Sequence, residues 1–288
     1  MKKILLTTTA MTMLAGAAAA DAPTLSGSAR FGVVNTATGT VVGHRYRINF
    51  NASGTTDGGL TFGAFARINM SGGVGGNTVA GPRVWIGNDT MTLTLGNAGG
   101  ATATAGNIWG CGVGFTGNCA DMANPNFTWV SNSSGGAGAS VIRLDFSLGS
   151  ANISISGGNA SGGANNDTEV AATFSLGAAT VGVSWDGGAG ATGGTQVHIG
   201  FDAGSANVHI GVAQSGTATG YTAAVSFGTG AGTVSVFGGN SINGAATGTN
   251  LVYGVTYSQS LGGGATAAVS YRNVAGVYVA DAGVKFSF

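Results

Sequence analysis

The stretch that decides the fold is the C-terminal sequence VYVADAGVKFSF, residues 277–288. Every second residue is aromatic, valine or alanine, and this set comprises Tyr278, Ala280, Ala282, Val284, Phe286 and Phe288. The intervening set is mostly polar or small and comprises Val279, Asp281, Gly283, Lys285 and Ser287. A period of two is typical of a β-strand with two different faces. Here one face suits lipid and the other suits water.

The same alternation recurs along the chain, for example in RYRINFNA (residues 45–52) and LTFGAFARINMS (residues 60–71). Sixteen such segments start near Leu25, Thr40, Gly59, Val79, Thr90, Ser140, Ser150, Asp167, Ala179, Thr195, Ser205, Thr219, Ala231, Thr249, Gly264 and Val277. The number is even, as in bacterial single-chain barrels, and most segments have about the 9–11 residues of a tilted membrane strand. The pattern predicts an all-β, antiparallel transmembrane barrel.

One connection is unlike the others, because residues 97–138 carry no clear strand pattern. This stretch holds both cysteines, two tryptophans and two phenylalanines. A structureless connection of this length is usually functional. We expect it to fold into the barrel lumen, where its aromatic side chains are shielded from water.

The composition excludes several other classes of protein. Charged residues make up 7% of the chain, against about 25% in ordinary soluble domains. A β-sandwich would expose its polar face to bulk water and would normally carry more charge there. Disordered chains are rich in charge and proline, whereas this chain has 3 prolines. A closed barrel, in contrast, satisfies every backbone group in lipid and leaves no sheet edge.

The first twenty residues resemble an export signal. Lys2 and Lys3 precede a short apolar stretch, and three alanines at 18–20 supply a small-residue cleavage site before Asp21. We therefore expect residues 1–20 to be removed and residues 21–288 to form the barrel. Without the two lysines the chain keeps 8 Lys and Arg against 10 Asp and Glu, a net charge of −2. That balance predicts no nucleic-acid partner.

Five segments resemble the general porins of Gram-negative bacteria, in particular those of alphaproteobacteria. They are LSGSARFGV (25–33), NFNASGTTDGGLTFGAF (49–65), VWIGNDTMTLTLGN (84–97), LGGGATAAVSYR (261–272) and ADAGVKFSF (280–288). The resemblance implies a sixteen-stranded homotrimer in the outer membrane that conducts small hydrophilic solutes and ions by passive diffusion. It also implies that residues 97–138 narrow the pore. Such porins end in an aromatic residue, here Phe288, that is recognised by the outer-membrane assembly machinery.

The predicted lumen face carries an uneven distribution of charge. Five arginines from the first four strands form what we call the basic wall: Arg30, Arg45, Arg47, Arg67 and Arg83. Arg143 is expected to extend this wall, while Glu169, Asp186 and Asp202 fall on a more distant part of the barrel. Porins of this kind usually have several acidic residues on the inward loop, whereas this loop offers only Asp121. The sequence therefore predicts a modest preference for anions, unless lumen carboxylates such as Asp145 neutralise the arginines.

Other chemistry is sparse. Cys111 and Cys119 lie close together in an exported chain, which favours a disulfide, and only Asp121 lies near enough to suggest a metal site instead. His198 and His209 are expected to face the lumen from neighbouring strands. They could serve as polar lining, as a pH gate or as a metal site. Two histidines fall short of the three or four ligands of a zinc site, so we predict no metal and no cofactor.

Catalytic groupings are also missing, so no enzyme is expected. Two alternatives to a general porin remain at the level of sequence. One is a substrate-selective channel, which would need an inward aromatic track; Phe65, Trp85 and Phe237 are the candidates. The other is a non-conducting, Gly-rich adhesin or structural protein.

Overall fold

A computed structural model provides the three-dimensional structure. It describes residues 19–36, 38–73, 76–105, 109–110, 120–121, 139–160, 166–187, 193–241, 250–274 and 276–288. Within these ranges no helix is long and apolar enough to cross a membrane.

Sixteen long antiparallel strands form the body of the protein, as the alternation predicts. They are β1 Thr24–Thr36, β2 Gly39–Thr55, β3 Thr61–Gly72, β4 Thr78–Gly87, β5 Met91–Gly96, β6 Ala139–Leu148, β7 Ala151–Ala160, β8 Asn166–Leu176, β9 Ala179–Asp186, β10 Gly194–Ala203, β11 Ala206–Ser215, β12 Ala218–Gly228, β13 Thr233–Ser241, β14 Asn250–Gly262, β15 Ala265–Val274 and β16 Val277–Ser287. Each predicted start lies within two residues of the observed one. Local alternation is therefore enough to locate the strands.

The sheet closes on itself, since every long strand pairs with its neighbours in sequence and β16 pairs with β1. In this last pairing Phe286 lies opposite Ala29. On the other side of the long connection, β5 still pairs with β6, and Leu93 lies opposite Leu144. A closed barrel has no free edge, which confirms the predicted fold class.

Burial in this barrel is the reverse of that in a soluble protein. The largest fully buried side chains include Arg272, Glu169 and Asp186. Large apolar side chains lie on the outside instead, and Leu25 and Val42 are 70% and 68% exposed. Extensive exposed apolar surface requires an apolar surrounding. The outer face therefore fits lipid, and the polar groups line the interior.

A bulge in β4 keeps the polar faces in step. Phe65 lies opposite Arg83 and Arg67 lies opposite Ala80, so β4 has one more residue than β3 between these two pairs. The extra length contains Pro82, which cannot donate a ladder hydrogen bond and is tolerated at bulges. Because of the bulge, Ala80 and Arg83 both face the lumen.

Tight turns join the strands at the end of the barrel that holds the C-terminus. Gly149, Gly177 and Gly204 have φ values of 64°, 70° and 68° at the first position of two-residue turns. A positive φ at this position is what primed hairpin turns require, and glycine adopts it without strain. At the N-terminus, Ala19 and Ala20 pair with Thr55 and Gly54 at the end of β2.

Candidate permeation pathway and inward loop

The basic wall is continuous across β1 to β4. Arg30 and Arg45 are directly opposite each other on β1 and β2. Arg47 donates a hydrogen bond from Nε to Asn69 Oδ1 at 2.6 Å, and Arg67 donates one to Asn49 Oδ1 at 2.8 Å. These side-chain amides fix the direction of two guanidinium groups without cancelling their charge.

Phe65 supports two members of the wall, Arg67 and Arg83. The Arg83 Cζ atom lies 4.3 Å from the centre of the Phe65 ring, and the Arg67 Cζ atom lies 5.1 Å from it. Both distances are within the range of a cation–π contact. The ring is only 8% exposed, so it serves as a platform under the charges and leaves little surface for a solute.

Among the residues that the structure describes, the positive charge of most arginines in the basic wall is not neutralised by a salt bridge. The ion pairs Arg143–Asp145 and Arg272–Asp281 do not involve the wall, and within the described part of the chain Arg45, Arg47, Arg67 and Arg83 are in no ion pair. Like charges on neighbouring strands repel each other. They are tolerated where water can screen them, as in an open lumen.

Lys285 adds to the wall and was not among the predicted site residues. It lies opposite Arg30, which lies opposite Arg45, so three cationic residues cross β16, β1 and β2 in one row. The alternation in β16 indicates that Lys285 faces inward. Its place beside Arg30 depends on closure of the barrel, which joins the last strand to the first.

The inward loop begins at residue 97 and folds against the opposite wall. Residues Ala101–Thr104 form a short 3₁₀ turn that packs on β7, β8 and β9. Ala101 and Thr102 are fully buried there. The rest of the predicted loop, apart from the two-residue pieces noted below, lies outside the described residues.

Glu169 holds this turn in place. Its Oε2 atom accepts hydrogen bonds from the Thr102 backbone N–H and from the Thr102 hydroxyl, both at 2.8 Å. Beside it, Ser156 accepts a hydrogen bond from the Ala101 N–H at 2.7 Å. We call this set of contacts the loop anchor. All of its members are buried, so water does not compete for these bonds.

Two glycines make room for the loop anchor. A Cβ atom on Gly182 would overlap the carbonyl oxygen of Ala105, and one on Gly100 would overlap the Glu169 carboxylate. The close approach of loop and wall therefore requires glycine at both positions.

Arg143 does not extend the basic wall as a free charge. Its Nε lies 3.0 Å from Asp145 Oδ2, and its Nη1 donates a hydrogen bond to the Gly99 carbonyl at 2.8 Å. Ser154 also donates to Asp145, at 2.6 Å. Arg143 therefore ties the start of the loop to β6, and its charge is balanced by Asp145.

The predicted acidic residues lie on the far side of the barrel, but two of them do not face open water. Glu169 and Asp186 are adjacent across β8 and β9 and are 0% and 1% exposed. Asp202 is exposed near a turn, where it accepts a hydrogen bond from Asn207 at 2.8 Å. The loop covers Glu169, so this carboxylate positions the loop directly.

A second ion pair was missed by the sequence reasoning. Arg272 Nη1 lies 2.9 Å from Asp281 Oδ2 and 3.0 Å from Ser270 Oγ, and both charged side chains have 0% exposure. The alternation in β15 puts Arg272 on the lumen face. Its partner could not be read from the sequence, because several lumen carboxylates were available.

The candidate aromatic track does not form an open surface. Phe65 lies under the two arginines, and Phe237 is 5% exposed and packs over Gly254. Trp85 lies over Gly63. Phe65 and Phe237 therefore offer little ring surface to a solute, and Trp85 is half-buried.

The remaining predicted residues are placed in part. Trp109 and Gly110 pair with Asp121 and Ala120 in a two-residue ladder, while Cys111 and Cys119 lie outside the described residues. Phe288 exchanges backbone hydrogen bonds with Gly27 and stacks on Tyr46 at 5.6 Å between ring centres. Its ring is 57% exposed, on the outer face.

The fold and its lining define a transmembrane β-barrel with a polar interior and an inward loop. The model of the Gram-negative porin family matches residues 7–281, and the chain therefore belongs to this family. Membership of this family and the fold make it an outer-membrane diffusion channel.

Solved structures show the same fold. A triple mutant of the Rhodopseudomonas blastica porin superposes with a TM-score of 0.77 at 21% identity, over 93% of this chain and 100% of the other. A structure from work on asymmetric conductivity of engineered proteins gives a TM-score of 0.78 at 21% identity, over the same shares. No curated protein sequence matches the chain.

Proposed function

We propose that the pore is narrowest between the basic wall and the inward loop, and that it passes small hydrophilic solutes with a modest preference for anions. The observation that carries this proposal is the set of four arginines without a salt-bridging carboxylate, Arg45, Arg47, Arg67 and Arg83. Selectivity in a pore follows from the charges at its narrowest section.

The far wall adds to this imbalance. Glu169 is covered by the loop and Asp145 is bound to Arg143, so neither offers a free counter-charge near the wall. A cleft lined by one sign of charge raises the local concentration of the opposite ion, and low-dielectric walls strengthen the effect. Chloride and small organic anions are therefore expected to enter more readily than cations of the same size.

The double variant Arg45→Ala/Arg47→Ala is expected to shift the reversal potential in a salt gradient toward cations, because two positive charges leave the wall. The shift should shrink as salt rises, since the Debye length falls from about 10 Å at 0.1 M to about 3 Å at 1 M. Planar-bilayer recording measures both effects.

Two control variants separate charge from pore width in this experiment. Arg45→Lys/Arg47→Lys keeps the charge and should keep the selectivity. Asn51→Ala removes a neutral inward side chain from the same strand and should leave the reversal potential unchanged. Equal reversal potentials in the wild type and the double alanine variant would rule out the basic wall as the selectivity determinant.

We also propose that the chain forms a homotrimer and that Phe288 is recognised during assembly. The stacking of Phe288 on Tyr46 gives it a second, purely structural role, and two variants distinguish them. Phe288→Ala removes both the ring and the signal, whereas Gly27→Ala displaces the ring and keeps the terminal phenylalanine. If Phe288 is recognised during assembly, the amount of trimer in isolated outer membranes should fall for Phe288→Ala and not for Gly27→Ala. An equal loss in both variants would mean that Phe288 acts only through its packing on Tyr46.

Export and oxidation complete the proposal. Residues 1–20 act as a cleaved signal, and Cys111 forms a disulfide with Cys119. The short spacing of the two cysteines in an exported chain supports the disulfide. The intact mass of the mature protein tests the cleavage, because the chain should begin at Asp21. Alkylation before and after reduction tests the disulfide, because the two cysteines should react only after reduction.

A further inference from the structure

Two histidines meet on the lumen face, away from the basic wall. His198 on β10 and His209 on β11 have stacked rings, with 5.3 Å between ring centres and 19° between planes. The Nε2 atom of His198 lies 3.2 Å from the Nδ1 atom of His209. A Cβ atom on Gly200 would lie 3.0 Å from His209 Nδ1, so the glycine leaves space beside this nitrogen.

This spacing fits two ligands of one metal ion. Metal–imidazole bonds are about 2.0–2.1 Å long, which places two nitrogens of a tetrahedral site about 3.3–3.4 Å apart. In the metal-free pair, one of the facing nitrogens must carry the proton of the hydrogen bond. Moving that proton to the other nitrogen of the same ring frees one lone pair on each of these two nitrogens, with no change in charge.

The pair opens on a cavity with room for the water molecules that would complete a metal site. The cavity has a volume of about 460 Å³ and is also lined by Thr104, Ala105 and Asp202. In the described part of the chain, no group of three or more His, Cys, Asp or Glu side chains could hold a metal ion. Water must therefore complete the coordination, which makes the site open and exchangeable rather than a closed structural one.

We propose that His198 and His209 together bind one divalent transition-metal ion of the borderline class, Cu²⁺ or Zn²⁺, from the lumen. Imidazole nitrogen suits these metals, and among the divalent ions Cu²⁺ binds most tightly to a given nitrogen site. Magnesium prefers oxygen ligands in an octahedral arrangement and is not expected to bind. A bound ion would add positive charge beside Thr104 and Ala105, at the docked start of the inward loop.

The test is a Cu²⁺ titration of the purified, tag-free protein in detergent, followed by electron paramagnetic resonance. We expect one ion per chain with coupling to two imidazole nitrogens. Zn²⁺ in large excess should compete with Cu²⁺ for the site, because it also suits imidazole nitrogen, whereas the same excess of Mg²⁺ should leave the Cu²⁺ signal unchanged. Because this readout detects bound metal and needs no conduction, it is independent of the proposed anion preference.

Single variants then assign the ligands. His198→Asn and His209→Asn should each weaken binding by roughly tenfold or more, since even loss of a group that only supports a metal ligand costs about 10–100-fold. His44→Asn is the matched control, because His44 is exposed on the outer face of the barrel. This variant should bind Cu²⁺ as tightly as the wild type does. Circular dichroism verifies that each variant keeps its barrel. A wild-type spectrum without two nitrogen couplings, or with sulfur ligands, overturns the proposal, as does unchanged binding in both histidine variants.

Discussion

Replacing Asp281 with alanine is expected to lower the free energy of unfolding by about 3–5 kcal/mol, the usual cost of removing one partner from a buried ion pair. The substitution leaves the Arg272 guanidinium in a site with 0% exposure and without its carboxylate. Ser270 still accepts a hydrogen bond from the guanidinium, but its neutral hydroxyl does not replace the charge of the carboxylate. Urea unfolding of the barrel in lipid vesicles measures the change.

Two further variants make this measurement specific. Lys285→Ala removes an exposed charge from the same face of the same strand, and its effect should stay below about 1 kcal/mol. Replacing both partners by apolar residues, as Arg272→Met/Asp281→Leu, should restore most of the lost stability, because such exchanges are often neutral or stabilising. A loss for Asp281→Ala no larger than that for Lys285→Ala would contradict the buried pair.

Replacing Glu169 with alanine is expected to release the start of the inward loop and widen the channel. The carboxylate accepts two hydrogen bonds from Thr102, and a bond to a charged group contributes about 1.5–3 kcal/mol. Loss of both would shift the docking equilibrium by about a hundredfold or more, at roughly tenfold per 1.4 kcal/mol. Single-channel recording should show larger and noisier conductance steps.

A graded series tests this mechanism further. Thr102→Val removes the hydroxyl bond but keeps the backbone N–H bond, so its conductance should fall between those of the wild type and Glu169→Ala. Asp202→Asn removes the same charge from the same side of the lumen without touching the loop, and its conductance should stay near the wild-type value. Conductance in Glu169→Ala equal to that of Asp202→Asn would mean that the loop anchor does not set the pore width.

The position of Glu169 shows where sequence reasoning reached its limit at the site. The alternation predicts that it is a lumen residue on the far side from the arginines, and in the structure it lies on β8 beneath the start of the inward loop. Its role was not visible, because its partner Thr102 is 67 residues away in a stretch without periodicity. The two consecutive glycines Gly99 and Gly100, just before the turn, were the only indication of close packing, and a weak one.

Arg143 and Arg272 make the same point for charge. Each could be assigned to the lumen face from its own strand. The sequence named Asp145 as a carboxylate that could neutralise an arginine but did not say which one, and it did not single out Asp281 at all. Arg143 was expected to extend the basic wall and instead pairs with Asp145 and the Gly99 carbonyl. Which arginines stay without a salt bridge is decided by register and loop position together.

The sequence by itself determined the strands, their two faces and the closed barrel. These follow from period-two alternation, which each strand carries within about ten residues and which lipid on one side and water on the other enforce locally. Only the tertiary structure decided where the inward loop packs, at Gly182 and Glu169. It also decided the two ion pairs and the contact between His198 and His209. These contacts depend on distances of a few ångströms between separate strands, and strand periodicity alone does not fix side-chain distances at that scale.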